Sequence, residues 1–386
     1  MLMMVSKNVK EAISKIKLIT FVTLSFSEKD RIFKVYTLNM LMMVSKNVKE
    51  AISKIKLITF VTLSFSEKDR NERKVYVKAG NALNGICGLS ILCTITKLVL
   101  KSCKIKEGLL MDRLSNVLKQ CQGLEELDLE DNMIGNGIGI IAEQLSNCPK
   151  LRILDLGSTE INEDGAKSLA QALGQGQCPE LEKLLLHRNH IGDAGMKSLA
   201  GVLPQFEKLK HLTLDDNNIT QNGAKSLTRV LPECKTLAVL ELWANILGDK
   251  GAERLAKVLP QCGAMTCLVI SGNGIGSEGA ASIAGVLPKC KVLSCLQIGS
   301  NEFGNAGAKS LARALPQCKL NELDVKYSRI SNEGANSFRQ VLSKCLELKK
   351  LNLNGNMISD ETSERLGDVL IEHRPDLECS ISFYKH

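Results

Sequence analysis

From residue 95 onward the apolar positions fall into one pattern, written ten times. ITKLVLKSCKI (Ile95 to Ile105), LEELDLEDNMI, LRILDLGSTEI, LEKLLLHRNHI, LKHLTLDDNNI, LAVLELWANIL, MTCLVISGNGI, LSCLQIGSNEF, LNELDVKYSRI and LKKLNLNGNMI (Leu348 to Ile358) all fit LxxLxLxxNxI, beginning at 95, 124, 151, 181, 209, 237, 265, 293, 320 and 348. A single match would be weak, but ten in register make the repeat the organising unit of the chain. In an extended segment the alternating leucines of xxLxL point into one layer and the residues between them point out, so each unit predicts a short strand with one buried face. The Asn that follows (Asn132, Asn189, Asn217, Asn245, Asn273, Asn301, Asn356) is suited to bonding backbone groups where the chain leaves the strand, with Cys103, Thr159 and Ser328 as substitutes.

The apolar period changes after each strand. In DGAKSLAQAL, Ala166, Leu169, Ala170 and Leu173 fall at i, i+3, i+4 and i+7, which predicts an amphipathic helix of about two and a half turns. Small alanines let it lie close to the strand layer, and Pro204, Pro232, Pro260, Pro288 and Pro316 are expected to stop it. A unit this short cannot bury its apolar face alone, so neighbours must stack. Strands about 4.8 Å apart beside helices about 10 Å apart force curvature. The expected architecture is an α/β horseshoe solenoid with a parallel sheet on the concave face and helices on the convex face.

The first 70 residues follow another logic. MLMMVSKNVKEAISKIKLITFVTLSFSEKDR stands at 1–31 and again, letter for letter, at 40–70. Surface positions tolerate drift, so full identity points to a very recent duplication or an error in assembling the coding sequence. Each copy predicts a helix (VKEAISKI) and a strand (ITFVTLSF); one strand could shield the first rung while the other copy is left loosely attached. The expected organisation is 1–70 as a duplicated basic segment, 71–94 as a degenerate cap or repeat, 95–358 as the array, and 359–386 as a capping helix and tail.

Charge and cysteines change the picture in two ways. The formal net charge is +8, but residues 1–70 hold 13 Lys and Arg against 6 Asp and Glu, so the array is near neutral. Of the 14 cysteines, eight recur at one position of the repeat: Cys121, Cys148, Cys178, Cys234, Cys262, Cys290, Cys318 and Cys345. That is how a small buried hydrophobe recurs, and it predicts reduced thiols and a cytoplasmic location. LITFVTLSF (Leu18 to Phe26) is about half of a membrane span and is followed by no small-residue cleavage site.

Catalytic and cofactor signals are weak. GAKS (Gly165 to Ser168, Gly223 to Ser226, Gly307 to Ser310) resembles the end of a P-loop, but Ala separates Gly from Lys. The five histidines, His187, His190, His211, His373 and His386, form no triad or zinc spacing. No enzymatic activity, cofactor or metal is expected.

The strand positions that point away from the core carry the candidate site. Positions 3, 5, 7 and 8 of the ten units hold ten acidic and six basic residues, a face of about −4 in a chain of +8. This argues against nucleic acid and for a basic or mixed protein partner. Trp243, the sole tryptophan, occupies position 7, where other units carry polar or small residues, and so is expected on the inner face. Val239, Val269 and Cys267 make an apolar patch beside it, rimmed by Glu241, Asp215 and Asp216, as at an interface hot spot. Tyr327 beside Lys326 is a second candidate anchor, and His187 and Arg188 complete the expected partner-binding set.

The unit LxxLxLxxNxI followed by a GAKSLAxxL helix resembles the ribonuclease-inhibitor type of leucine-rich repeat over residues 95–358. Ribonuclease inhibitor, the C-terminal arrays of NOD-like receptors and Ran GTPase-activating protein share it. The near-constant steps most resemble a NOD-like receptor array, which implies a non-catalytic sensor or scaffold that binds a protein or peptide on its concave face. Residues 1–94 hold nothing like the nucleotide-binding domain of those receptors, so a free-standing array or a fragment of a longer gene is expected. A GTPase activator is the first alternative, set back by the short EHRPDLECSISFYKH ending where that family has an acidic stretch. Inhibition of a basic ribonuclease is the next, set back by one Trp where that family uses several aromatic anchors.

Overall fold

A computed structural model describes residues 22–26, 60–65 and 95–381. The helix expected from VKEAISKI and the expected cap at 71–94 lie outside the described residues. One open, all-parallel sheet holds thirteen strands among the described residues, paired in strict chain order. Eleven of them lie in 95–381, from Lys97–Val99 to Glu378–Ser380, each three residues long.

The register explains why the strands are so short. Leu98, Leu127, Leu154, Leu184, Leu212, Leu240, Leu268, Leu296, Leu323 and Leu351 sit directly beside one another from strand to strand. None is more than 1% exposed. Each central leucine gives roughly 1.5–3 kcal/mol of burial, and one per unit in register suffices to align the next. Three residues are enough because the flanking leucines already belong to the turns on either side. At the other end of the sheet Val22–Phe26 pairs with Phe60–Phe65, identical residue against identical residue, and the latter pairs with Lys97–Val99. Both copies of the duplicated segment therefore extend the sheet, where only one was expected to do so. A parallel edge offers unpaired backbone groups to any extended segment of matching length, and the second copy meets that requirement as well as the first.

The recurrent asparagines form a ladder behind the strands. Asn245 accepts from the backbone N–H of Asn217 and Ile219 at 3.1 and 2.9 Å and donates to the carbonyls of Leu214 and Leu242 at 2.9 and 3.1 Å. Asn132, Asn189, Asn301 and Asn356 repeat the arrangement. The substitutes bond nearby carbonyls, Thr159 donating to Leu156 and Ser328 to Lys326, and Thr159 also reaches Asn189 Oδ1 of the next unit at 3.2 Å.

Helices follow the expected period. Glu163–Leu173 buries Gly165, Ala166, Leu169, Ala170, Ala172 and Leu173, and Asn162 caps it by accepting from the N–H of Gly165. The α-helices end just before the prolines, as expected, and the prolines add a turn of their own. Each begins a one-turn 3-10 helix, as in Leu203–Gln205, Leu231–Glu233, Leu259–Gln261, Leu287–Lys289 and Leu315–Gln317. The first turn of a helix needs no N–H from its opening residues, so proline is tolerated there and the chain turns rather than stops. The repeated cysteines close these turns. The thiols of Cys121, Cys234, Cys262, Cys290 and Cys345 donate to the carbonyl four residues earlier, at 3.1–3.5 Å. Burial pushes the thiols of Cys148, Cys178 and Cys345 up to about 12, which keeps them protonated.

Helix also binds to helix across units, which was not anticipated. Asp249 Oδ1 accepts from the N–H of Gly276 and Gly279 at the start of the next helix, Ser277–Val286. Asp193 and Asn305 do the same for Gly223 and Gly334. At the far end Asp360–His373 covers the last unit, and the buried guanidinium of Arg374 donates to the carbonyls of Leu342, Cys345 and Leu348.

Candidate partner-binding face

Position 8 of every unit adopts a left-handed backbone. Ser102, Asp131, Ser158, Arg188, Asp216, Ala244, Ser300 and Tyr327 have φ of 50–58°, and Gly272 and Gly355 have 65° and 66°. The chain thus leaves the strand at a sharp turn immediately after position 7, which aims that side chain outward. Trp243 is 42% exposed at this position, as the register predicts. Its indole also leans toward the next rung: a Cβ on Gly272 would lie 3.6 Å from Nε1. Display and local packing are both present.

Beneath Trp243 lies a coupled set of polar groups. Its backbone N–H donates to Asp215 Oδ1 at 2.6 Å. The carboxyl of Asp215 shares a hydrogen bond with Glu241. His211 Nε2 sits 2.8 Å from Glu241 Oε1. Two carboxyls can share a hydrogen bond only if one holds a proton. Burial, reinforced by the charge of Glu241, pushes Asp215 up to about 7 despite the Trp243 N–H, whereas the His211 contact holds Glu241 below the ordinary range. Of the two carboxyls, Asp215 is therefore the one that keeps the shared proton. Val239 and Val269 flank Glu241 as half-buried apolar neighbours, and Asp216 is exposed on the rim.

A second acidic group stands on the second and third units, one unit short of the first group. Asp128, Glu130 and Asp155 place carboxylate oxygens within 4.8 Å of one another. Lys101 pairs with Glu130, and Lys97 with Glu126 at 2.6 Å. Burial raises Asp155 to about 6, with the charges of Asp128 and Glu130 adding to it. Three oxygens fall short of the six to eight that a calcium ion takes, and one of the carboxylates is already paired with a lysine. His187 stands between the two acidic groups, 3.7 Å from Glu130. Its ring lies flat on Gly157, where a Cβ would fall 2.1 Å from Cε1. Arg188 beside it is exposed.

The structure does not gather all the expected residues into one site. Trp243, Glu241, Val239, Asp215, Asp216 and Val269 cluster on three adjacent rungs. Lys326 and Tyr327 stand three rungs further on, roughly 14 Å away at the strand spacing. There Lys326 contacts Asp324 at 3.4 Å, and the Tyr327 ring covers Gly355, whose Cβ would fall 2.1 Å from Cε1. Tyr327 is 51% exposed but packs on its neighbour rung. His211 was missed as a site residue. Its signal was present: it lies 30 residues before Glu241, about one repeat, so the register brings them together.

Among known proteins, a family model described as leucine-rich repeat matches residues 147–170, 177–200, 207–227, 265–284 and 289–312. The array has the leucine-rich-repeat fold. The array resembles an internalin of Listeria monocytogenes at 20% identity and a TM-score of 0.50, over 87% of this chain and 83% of that one. Internalin C2 of the same organism aligns at 18% identity and 0.39, over 70% and 92%. The mouse RP105/MD-1 complex aligns at 19% and 0.46, over 75% and 47%. At such identities the first likeness speaks to the repeat fold alone. No curated protein matches the chain. Among the described residues, no helix is long and apolar enough to cross a membrane.

Proposed function

We propose that this repeat array is a non-catalytic recognition module that binds a protein or peptide on its concave face, centred on Trp243. The observation that carries the reading is an exposed tryptophan held over a hydrogen-bonded Asp215, Glu241 and His211 set and flanked by half-buried valines. A large exposed aromatic with apolar neighbours, fixed by the polar groups around it, is the kind of residue from which interface anchors draw most of their energy. The surplus of carboxylates on this face favours a basic or mixed partner. The near-constant unit length supports kinship with the sensor arrays of NOD-like receptors, in an innate-immune setting. The twelve free cysteines among the described residues support a cytoplasmic location.

The test is capture of binding proteins by wild type and by Trp243→Ala under identical conditions, quantified by mass spectrometry. An anchor contributes about 2 kcal/mol or more, so specific partners should weaken roughly 30-fold. Equal retention by both proteins would refute the placement of the site. Ran GTP hydrolysis measured with and without the array tests the activator alternative, for which acceleration is the required result.

A further inference from the structure

Two cysteines outside the buried cysteine series stand side by side on the strand face. Cys267 and Cys295 occupy position 3 of consecutive units and are paired in direct register on neighbouring parallel strands. Both are half-buried, while Leu268 and Leu296 next to them are fully buried, so the thiols point to the concave side. They lie side by side in the strand register, whereas the repeated cysteines use their thiols to close helical turns. We propose that Cys267 and Cys295 form a two-thiolate site for a soft monovalent d10 cation, with copper(I) as the first-row case.

Geometry, softness and ligand number support this assignment. Metal–thiolate bonds of about 2.3 Å, laid end to end, span about 4.6 Å. Neighbouring strands hold aligned residues about 4.7–4.9 Å apart, so one ion can bridge the pair with small side-chain rotations and no backbone movement. Thiolates select copper(I) over hard cations. Zinc takes four ligands in a structural site. Among the described residues the one group of three or more such ligand atoms is the distant Asp128, Glu130 and Asp155 cluster, so the pair fits a two-coordinate ion. Glu241 and Glu322 both act against ionisation of Cys267, so the metal itself must displace the thiol protons. Gln297 Nε2 lies 3.9 Å from Cys295 Sγ and 3.5 Å from Glu322 Oε1, where its N–H groups can support a thiolate. On binding, each thiol releases its proton to solvent, two metal–sulfur bonds form, and no electrons change hands.

The test uses the full-length reduced protein without oxygen, titrated against copper(I) held by the chromogenic chelator bicinchoninate. Wild type should withdraw one equivalent more than Cys267→Ser or Cys295→Ser, and the two variants should match each other, because a two-coordinate site needs both sulfurs. Gln297→Leu should weaken the site about 10- to 100-fold. In wild type alone, bound copper(I) should protect the Cys267 and Cys295 peptides from alkylation, a readout that needs no variant to fold. Undiminished uptake by either serine variant, unequal losses between them, or alkylation of both cysteines at the unprotected rate would overturn the assignment.

Discussion

Replacing Asn245 by alanine tests the ladder that holds the site in place. The substitution removes one side chain and strands three backbone groups, the N–H of Asn217 and Ile219 and the carbonyl of Leu214, at 2.9–3.1 Å from the amide, while the Leu242 carbonyl keeps its bond from Asn273 at 2.8 Å. Asn245 is 5% exposed, so solvent reaches them poorly. A buried donor left without a partner costs about 1–3 kcal/mol, and carbonyls tolerate the loss better. Two donors at the lower half of that range, with some relief from an entering water, give about 3 kcal/mol. That is a large part of the 5–15 kcal/mol typical of a folded domain. The loss should fall at the boundary between two rungs, because each unit is coupled only to its neighbours. Urea unfolding should show the midpoint move, and native-state hydrogen exchange should show Asn217 and Ile219 amides losing protection before those of distant rungs. A cost below about 1 kcal/mol with unchanged exchange at those amides would refute the account.

Other expectations follow from the same geometry. Asp215, raised to about 7, and Asp155, raised to about 6, bind protons more tightly folded than unfolded. The stability they lend by holding a proton is full below the ordinary carboxylate range, near 4, and is lost as pH rises through 6 and 7. Asp215→Asn keeps an acceptor for the Trp243 N–H, so it should raise stability at pH 8 and flatten the dependence between pH 5 and 8; an unchanged slope in urea midpoints argues against it. Glu241, held low by His211, acts in the opposite sense, lending stability that is lost at acid pH. Asp249→Ala removes the acceptor for Gly276 and Gly279 and should cost about 1 kcal/mol, as helix caps do, read as a lower Tm. Trp243→Ala should cost about 1 kcal/mol, since the residue is 42% exposed and lies outside the core, leaving circular dichroism near wild type and Tm only slightly lower.

The sequence by itself determined the repeat, its two layers and which face each strand residue takes, because those follow from periods of 2 and 3.6 repeated every 28 or so residues. It also placed Trp243 outward and the asparagines inward, since register assigns every position at once. What it could not supply was which outward residues meet. Asp215 with Glu241, Glu241 with His211, and Cys267 with Cys295 are contacts about one repeat apart, and they depend on the register across strands and on the left-handed turn after position 7. Three steps of one repeat separate Lys326 and Tyr327 from Trp243, although composition alone would group them. Local pattern fixes direction through backbone geometry, which is short-ranged. Neighbourhood arises from stacking, and so do the shared proton on Asp215, the cross-unit cap at Asp249 and the paired thiols.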